Sequence, residues 1–187
     1  MRRAWWLMLV SLGALACVAG ARAGEGKGAE VTLDGLKSRT PAGWKMQKPS
    51  NKLRAYQFLV PRADGDREDA ELVIFYFGPG SGGTAEDNLK RWKGMFQPPE
   101  GKKIDDVSKV EKFKVGDVPV TTFDVHGTYL YKFPPNDPNA KTQKKPDFRF
   151  GVIFESKNGP YFITLTGPAK TMAQHKKGFD GWVKGFK

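Results

Sequence analysis

The sequence predicts an α+β fold: a mostly antiparallel β-sheet packed against an internal helix (about 84–96) and a C-terminal helix (about 168–186). Three observations predict it. Strand-like runs follow one another across short turns rather than across helices. A single amphipathic helical segment interrupts them in mid-chain. A second, rich in aromatic residues, closes the chain.

The first residues read as a secretory signal peptide, 1–23. Arg2 and Arg3 form a positive start, Ala4 to Gly20 is almost uncharged and apolar, and Ala21-Arg22-Ala23 offers the small-x-small pattern of a cleavage site. The apolar run falls short of the roughly 20 residues that span a bilayer. The expectation is therefore export, periplasmic or extracellular, with cleavage after Ala23. Cys17, after Ala14-Leu15-Ala16, carries a minority alternative, a lipoprotein. The Arg2-Arg3 pair also fits a twin-arginine signal, although the Trp-Trp-Leu-Met run after it favours general secretion.

Gly24 to Glu30 reads as a flexible leader, and a single domain is expected over 31–187. Val31 to Leu36 reads as a short strand, Pro41-Ala42-Gly43 as a turn, and Trp44-Lys45-Met46 as extended. Leu53 to Val60 is a strand stopped by Pro61. Ala70 to Phe77 is apolar on both faces, which predicts a central strand covered on both sides. A glycine-rich loop, Gly78 to Gly83, leads to Thr84, a good N-cap, with Glu86 and Asp87 in the first helical turn. Ala85, Leu89, Trp92 and Phe96 fall on one face, and Pro98-Pro99 is expected to end that helix.

Val107 to Val115 and Val118 to Tyr131 read as strands about the turn Gly116-Asp117. Lys132 to Asp147, with four prolines and no apolar period, reads as a loop. Phe148 to Glu155 and Tyr161 to Thr166 form a hairpin. Gly167-Pro168 opens the last helix, in which Met172, Phe179, Trp182, Val183 and Phe186 keep helical spacing. Trp44, Trp92 and Trp182 sit within these patterns as core residues rather than as exposed sugar-stacking platforms.

Several strings resemble exported bacterial members of the PsbP/Mog-like fold superfamily. They are Thr40-Pro41-Ala42-Gly43-Trp44, the Gly82-Gly83 loop with Asn88-Leu89-x-Arg91-Trp92, Gly127-Thr128-Tyr129, and Leu165-Thr166-Gly167-Pro168. None is a catalytic signature. The resemblance implies an antiparallel sheet between helices and an accessory or protein-binding role, without an enzymatic one.

Charge adds a partner class. The chain carries a formal +11, and removing Arg2, Arg3 and Arg22 with the leader leaves +8 on about 164 residues. Such a surface favours anionic partners. Export removes nucleic acid from consideration and leaves an acidic protein face, an envelope polymer or anionic lipid headgroups, the last implying peripheral membrane association. The mature chain contains no cysteine, hence no disulfide and no thiolate nucleophile.

Four features bear on chemistry. Gly78-Pro79-Gly80-Ser81-Gly82-Gly83 matches G-x-G-x-x-G, but no second parallel strand follows the helix, so a turn feeding a capped helix is the better reading and no cofactor is expected. Asp124 and His126 share a strand face with Thr122 and Thr128, which offers an acid–base pair to an alternative reading as an exported hydrolase, although no nucleophile is evident. Otherwise that row is a solvated polar face. Asp64, Asp66, Glu68 and Asp69 lack the order of a calcium loop, and His126 with His175 makes no metal site. Lastly, Lys141, Lys144 and Lys145 with Phe133 give the loop Lys132 to Asp147 the composition of an anion-docking segment, with a merely mobile insertion as the equal alternative. The expected function is an exported, non-enzymatic accessory or binding domain.

Overall fold

The computed structural model describes residues 27–132 and 137–187; the expected signal peptide, Cys17 and Phe133 lie outside them. The leader gives way to β1 (Glu30–Leu33), which pairs with β2 (Leu36–Arg39) in a hairpin. Its turn is Asp34-Gly35, both with positive φ (48° and 86°). The single strand expected over 31–36 is thus a corner, because a Gly can take the left-handed conformation that turns the chain back.

The main sheet starts with β3 (Lys45–Gln47), β4 (Arg54–Val60) and β5 (Ala70–Tyr76). Helix α1 (Ala85–Lys93) and the short β6 (Phe96–Gln97) follow, then β7 (Ser108–Val115) and β8 (Val118–Lys132). The chain closes with β9 (Thr142–Ser156), β10 (Gly159–Pro168) and helix α2 (Ala169–Lys184). Among the described residues the order across the sheet is β3-β4-β5-β10-β9-β8-β6, with β7 also against β8, and every pairing is antiparallel. The α+β class and both helices are as expected.

Two boundaries differ. The internal helix ends at Lys93 with Gly94 as its cap, so Phe96 reaches the same apolar cluster as Trp92 from a strand, not from the helix. The stretch Lys132 to Asp147 is not a sixteen-residue loop. Strand β8 runs to Lys132 and β9 begins at Thr142, with Tyr129 opposite Lys145 and Tyr131 opposite Gln143. Charged and proline-containing sequence hides the strand because no buried face imposes alternation there.

Strand β5 is central and covered on both sides. Leu72 and Ile74 enter the larger core under α2, while Phe75 packs into the smaller core under α1. Helix α2 supplies Met172, Phe179, Trp182 and Val183, all 3% exposed or less. Burying each stabilises by about 1.5–3 kcal/mol, which outweighs the roughly 2 kcal/mol that Gly178 and Gly181 cost the helix. The hairpin β1–β2 closes this core with Val31 and Leu33. Trp44 donates its indole N–H to Nδ1 of His175 at 3.2 Å, and Nε2 of the same ring lies 2.9 Å from the Pro61 carbonyl. His175 borders the core with both nitrogens engaged.

In the smaller core the Trp92 indole packs over Gly151. A β-carbon there would sit 2.4 Å from the indole ring. Only a glycine allows so close an approach.

Candidate functional site

The glycine loop serves the helix it precedes. Thr84 Oγ1 accepts from the Asp87 amide at 3.1 Å, Asp87 accepts in return from the Thr84 amide at 3.4 Å, and buried Asn88 donates to the Gly82 carbonyl at 2.7 Å. This capping box occupies the helix N-terminus with the protein's own carboxylate. Gly82, at φ 90°, lies against the Phe162 ring.

The acidic cluster is dispersed. Asp66 accepts from the Thr171 amide at 2.8 Å and hydroxyl at 2.6 Å, capping α2, whose first residue follows a proline with no side-chain cap of its own. Glu68 pairs with Lys145, and Asp69 accepts from the Arg62 amide. Among the described residues no group of three potential ligands is placed to hold a metal ion.

The polar row of β8 is not a uniformly solvated face. Thr122 and Asp124 point toward α2 and line a cleft of about 320 Å³ between that helix and β7–β9. Its floor includes Phe150, Phe179 and Val183, all buried, and half-buried Phe113. Its rim is ionic. Lys176 bonds Asp180 at 2.9 and 3.0 Å and reaches Asp124 at 3.4 Å, and Lys109 pairs with Glu111 at 2.6 Å. The Lys176 and Lys184 ammonium groups lie 4.8 and 5.7 Å from the Phe150 and Phe113 ring centres, cation–π distances.

Burial pushes the Asp124 carboxyl above its ordinary value, against the pull of Lys176 and the lesser one of His126. Burial also works against the Lys176 ammonium, but the bond to Asp180 and the Asp124 charge hold it above the usual lysine value.

His126 is exposed and does not line this cleft. The one hydroxyl there, on Thr122, donates weakly to the Glu111 carbonyl at 3.4 Å. Ser156 donates to the Gly159 carbonyl at 2.6 Å and, like Ser81, lies outside the cleft. His126 thus lies outside the cleft that Asp124 lines, and neither Ser81 nor Ser156 lines it.

The basic residues mark a second feature. Strands β8 and β9 are each 15 residues long. The last partner of β10 on β9 is Asp147, so residues 142–146 of β9 continue past it, paired with β8. This ribbon, flanked by β6 at Thr128 and Tyr129, carries Lys132, Lys144 and Lys145, with Lys141 just before it. Lys141 and Lys144 are exposed. Lys145, on the opposite face from Lys144, is anchored to Glu68 at 3.0 and 3.2 Å and lies over Tyr131. The three lysines expected to act together are thus divided between two faces.

No family model and no curated protein matches the sequence. Solved structures are similar. Cyanobacterial PsbP (CyanoP) from Synechocystis sp. PCC 6803 matches over 94% of this chain and 98% of its own, at 13% identity and a TM-score of 0.49. The Ran-binding protein Mog1p of Saccharomyces cerevisiae matches over 85% and 94%, at 10% identity and 0.44. PA94, a Pseudomonas aeruginosa protein of unknown function, matches over 83% and 93%, at 13% and 0.44. At these identities and TM-scores the likeness carries no family and no residue role to this chain.

The cleft was half legible in sequence. Lys176, Asp180 and Lys184 recur every four residues, which places them on one helix face. That this face opposes Asp124 and Glu111 depends on how α2 crosses the sheet.

Proposed function

We propose that this chain is an exported, non-enzymatic binding domain that recognises an anionic partner, a protein or a component of the cell envelope, through the lysine-bearing ribbon of β8 and β9. One observation carries the reading: the two longest strands continue past their neighbour and display exposed Lys141 and Lys144 at that end. A paired ribbon holds its side chains at fixed spacing, so docking a partner on it orders less chain than docking on a loop. Charge steers the encounter and makes it salt-sensitive.

The test compares wild type with Lys141→Glu/Lys144→Glu in sedimentation with anionic lipid vesicles and in capture from envelope extract. The reading expects wild-type binding that falls with salt and is lost in the double variant, at an unchanged urea midpoint. Binding that survives the two substitutions removes the ribbon from recognition. Export is checked by the intact mass of the protein recovered outside the cytoplasm, expected to begin at Gly24.

A further inference from the structure

The cleft under α2 lies apart from the ribbon and carries its own chemistry. It is neutral as a whole, with Lys109, Lys176 and Lys184 against Glu111, Asp124 and Asp180. A singly charged guest would leave an unbalanced charge in a partly desolvated space, which is costly. The balance is nevertheless uneven along the cleft. Glu111 is paired with Lys109, with Lys184 and Lys176 acting on it from further off, whereas Asp124 and Asp180 share Lys176. Lys184 has no carboxylate within ion-pair distance among the described residues, and its ammonium faces the Phe113 ring. One pole therefore has two carboxylates to one cation, and at the other the Lys184 ammonium has no carboxylate in direct contact among the described residues. The poles are about one helical turn apart, since Asp180 and Lys184 are four residues apart on α2 and such neighbours lie roughly 5–6 Å apart at their β-carbons.

The rise of the Asp124 carboxyl above its ordinary value agrees with this, because Lys176 does not offset the burial of that charge. Between the poles the surface is aromatic, formed by Phe113 and Phe150. The volume, about 320 Å³, lies at the lower end of the roughly 300–1,000 Å³ of small-molecule sites. It suits one residue-sized molecule.

We infer that the cleft binds a free α-amino acid with an apolar side chain. The ligand ammonium meets Asp124 and Asp180, its carboxylate meets Lys184, and its side chain lies over Phe113 and Phe150. A zwitterion satisfies both poles without altering the net charge of the cleft. A peptide terminus offers only one of the two charges, and a fatty acid or an amine likewise.

The test is a calorimetric or NMR titration of the full chain with three probes: L-phenylalanine, N-acetyl-L-phenylalanine and L-phenylalaninamide. Phenylalanine is expected to saturate the site, and each derivative to bind about tenfold more weakly for want of one charge-assisted contact. Lys184→Gln is expected to weaken phenylalanine to the level of the amide and leave the amide unchanged. Asp124→Asn is expected to erase the preference over the N-acetyl compound in the same way. Lys184 is exposed, so its variant keeps the fold, which near-ultraviolet circular dichroism verifies. Absence of saturable phenylalanine binding overturns the inference. So does equal binding of the three probes, or a preference for phenylalanine over the amide that persists in Lys184→Gln. None of these outcomes bears on the ribbon, whose variants are read separately.

Discussion

One carboxylate oxygen of Asp66 receives both the amide and the hydroxyl of Thr171, 105 residues further along the chain. The same hydroxyl accepts from the Ala63 amide at 3.0 Å, and Thr171 is fully buried. The loop before β5 thereby caps the helix that covers the sheet. Thr171→Val, nearly equal in shape, strips partners from a buried amide and a carboxylate and is expected to cost about 1–3 kcal/mol. Urea unfolding followed by tryptophan fluorescence measures it. The hydrogen bonds from Thr171 hold the Asp66 carboxyl below its ordinary 3.8. A lowered carboxyl contributes stability above the unfolded value and loses it as pH falls through the folded one. Asp66→Asn is expected to flatten that acid-side loss; an unchanged profile would show that the cap is not electrostatic.

A second expectation concerns Gly151 and Trp92. A β-carbon at Gly151 would meet the indole at 2.4 to 3.1 Å, and a buried ring edge has little room to give. Gly151→Ala is expected to destabilise by about 1–3 kcal/mol, as overpacking does. Combined with Trp92→Leu, which vacates the space, the two changes should cost less than their sum. Strict additivity in denaturation experiments would count against the contact.

The cleft predicts a pH signature. Asp124 has a folded-state carboxyl raised above 3.8 by burial, so the folded chain holds that proton more tightly than the unfolded chain. Its ionisation works against folding, and stability from this group falls as pH rises from the unfolded value through the folded one. Lys176, held above 10.5, contributes in full below the unfolded lysine value and loses its contribution as pH rises through the folded one. Asp124→Asn should remove the first slope. The urea midpoint of the variant should then gain on that of wild type as pH rises above about 4, and parallel curves would contradict the assignment.

Lys144 and Lys145 are adjacent but are expected to behave differently. Lys144 is exposed, and Lys144→Ala should change stability by less than about 0.5 kcal/mol while weakening anionic binding. Lys145 ties the ribbon to Glu68, a partly exposed pair worth up to about 1 kcal/mol. Lys145→Ala should speed amide exchange in residues 142–145 more than elsewhere. Equal exchange in both variants would show that the tie to Glu68 does not hold the ribbon.

Much of the frame was legible because it obeys local rules. Thr84, Glu86 and Asp87 announced a capped helix, the unbroken apolar run Ala70 to Phe77 announced a doubly covered strand, and the spacing from Met172 to Phe186 announced the buried stripe of α2. The missed boundaries lie where local signals conflict. Phe96 kept helical phase after the helix had stopped at Gly94, and Lys132 to Asp147 lacked apolar alternation because its strands extend beyond the core.

The amino-acid pattern alone determined the α+β class, the two helices, the central strand and the excess of positive charge, since periodicity, caps and composition act over a few residues. Tertiary packing decided that Asp66 caps a helix 105 residues away, that Asp124 faces Lys176 while His126 faces solvent, and that Lys144 and Lys145 serve different faces. Those relations join distant segments through the register of β8 with β9 and the crossing of α2 over the sheet, and the energy that fixes both is shared among side chains drawn from the whole chain.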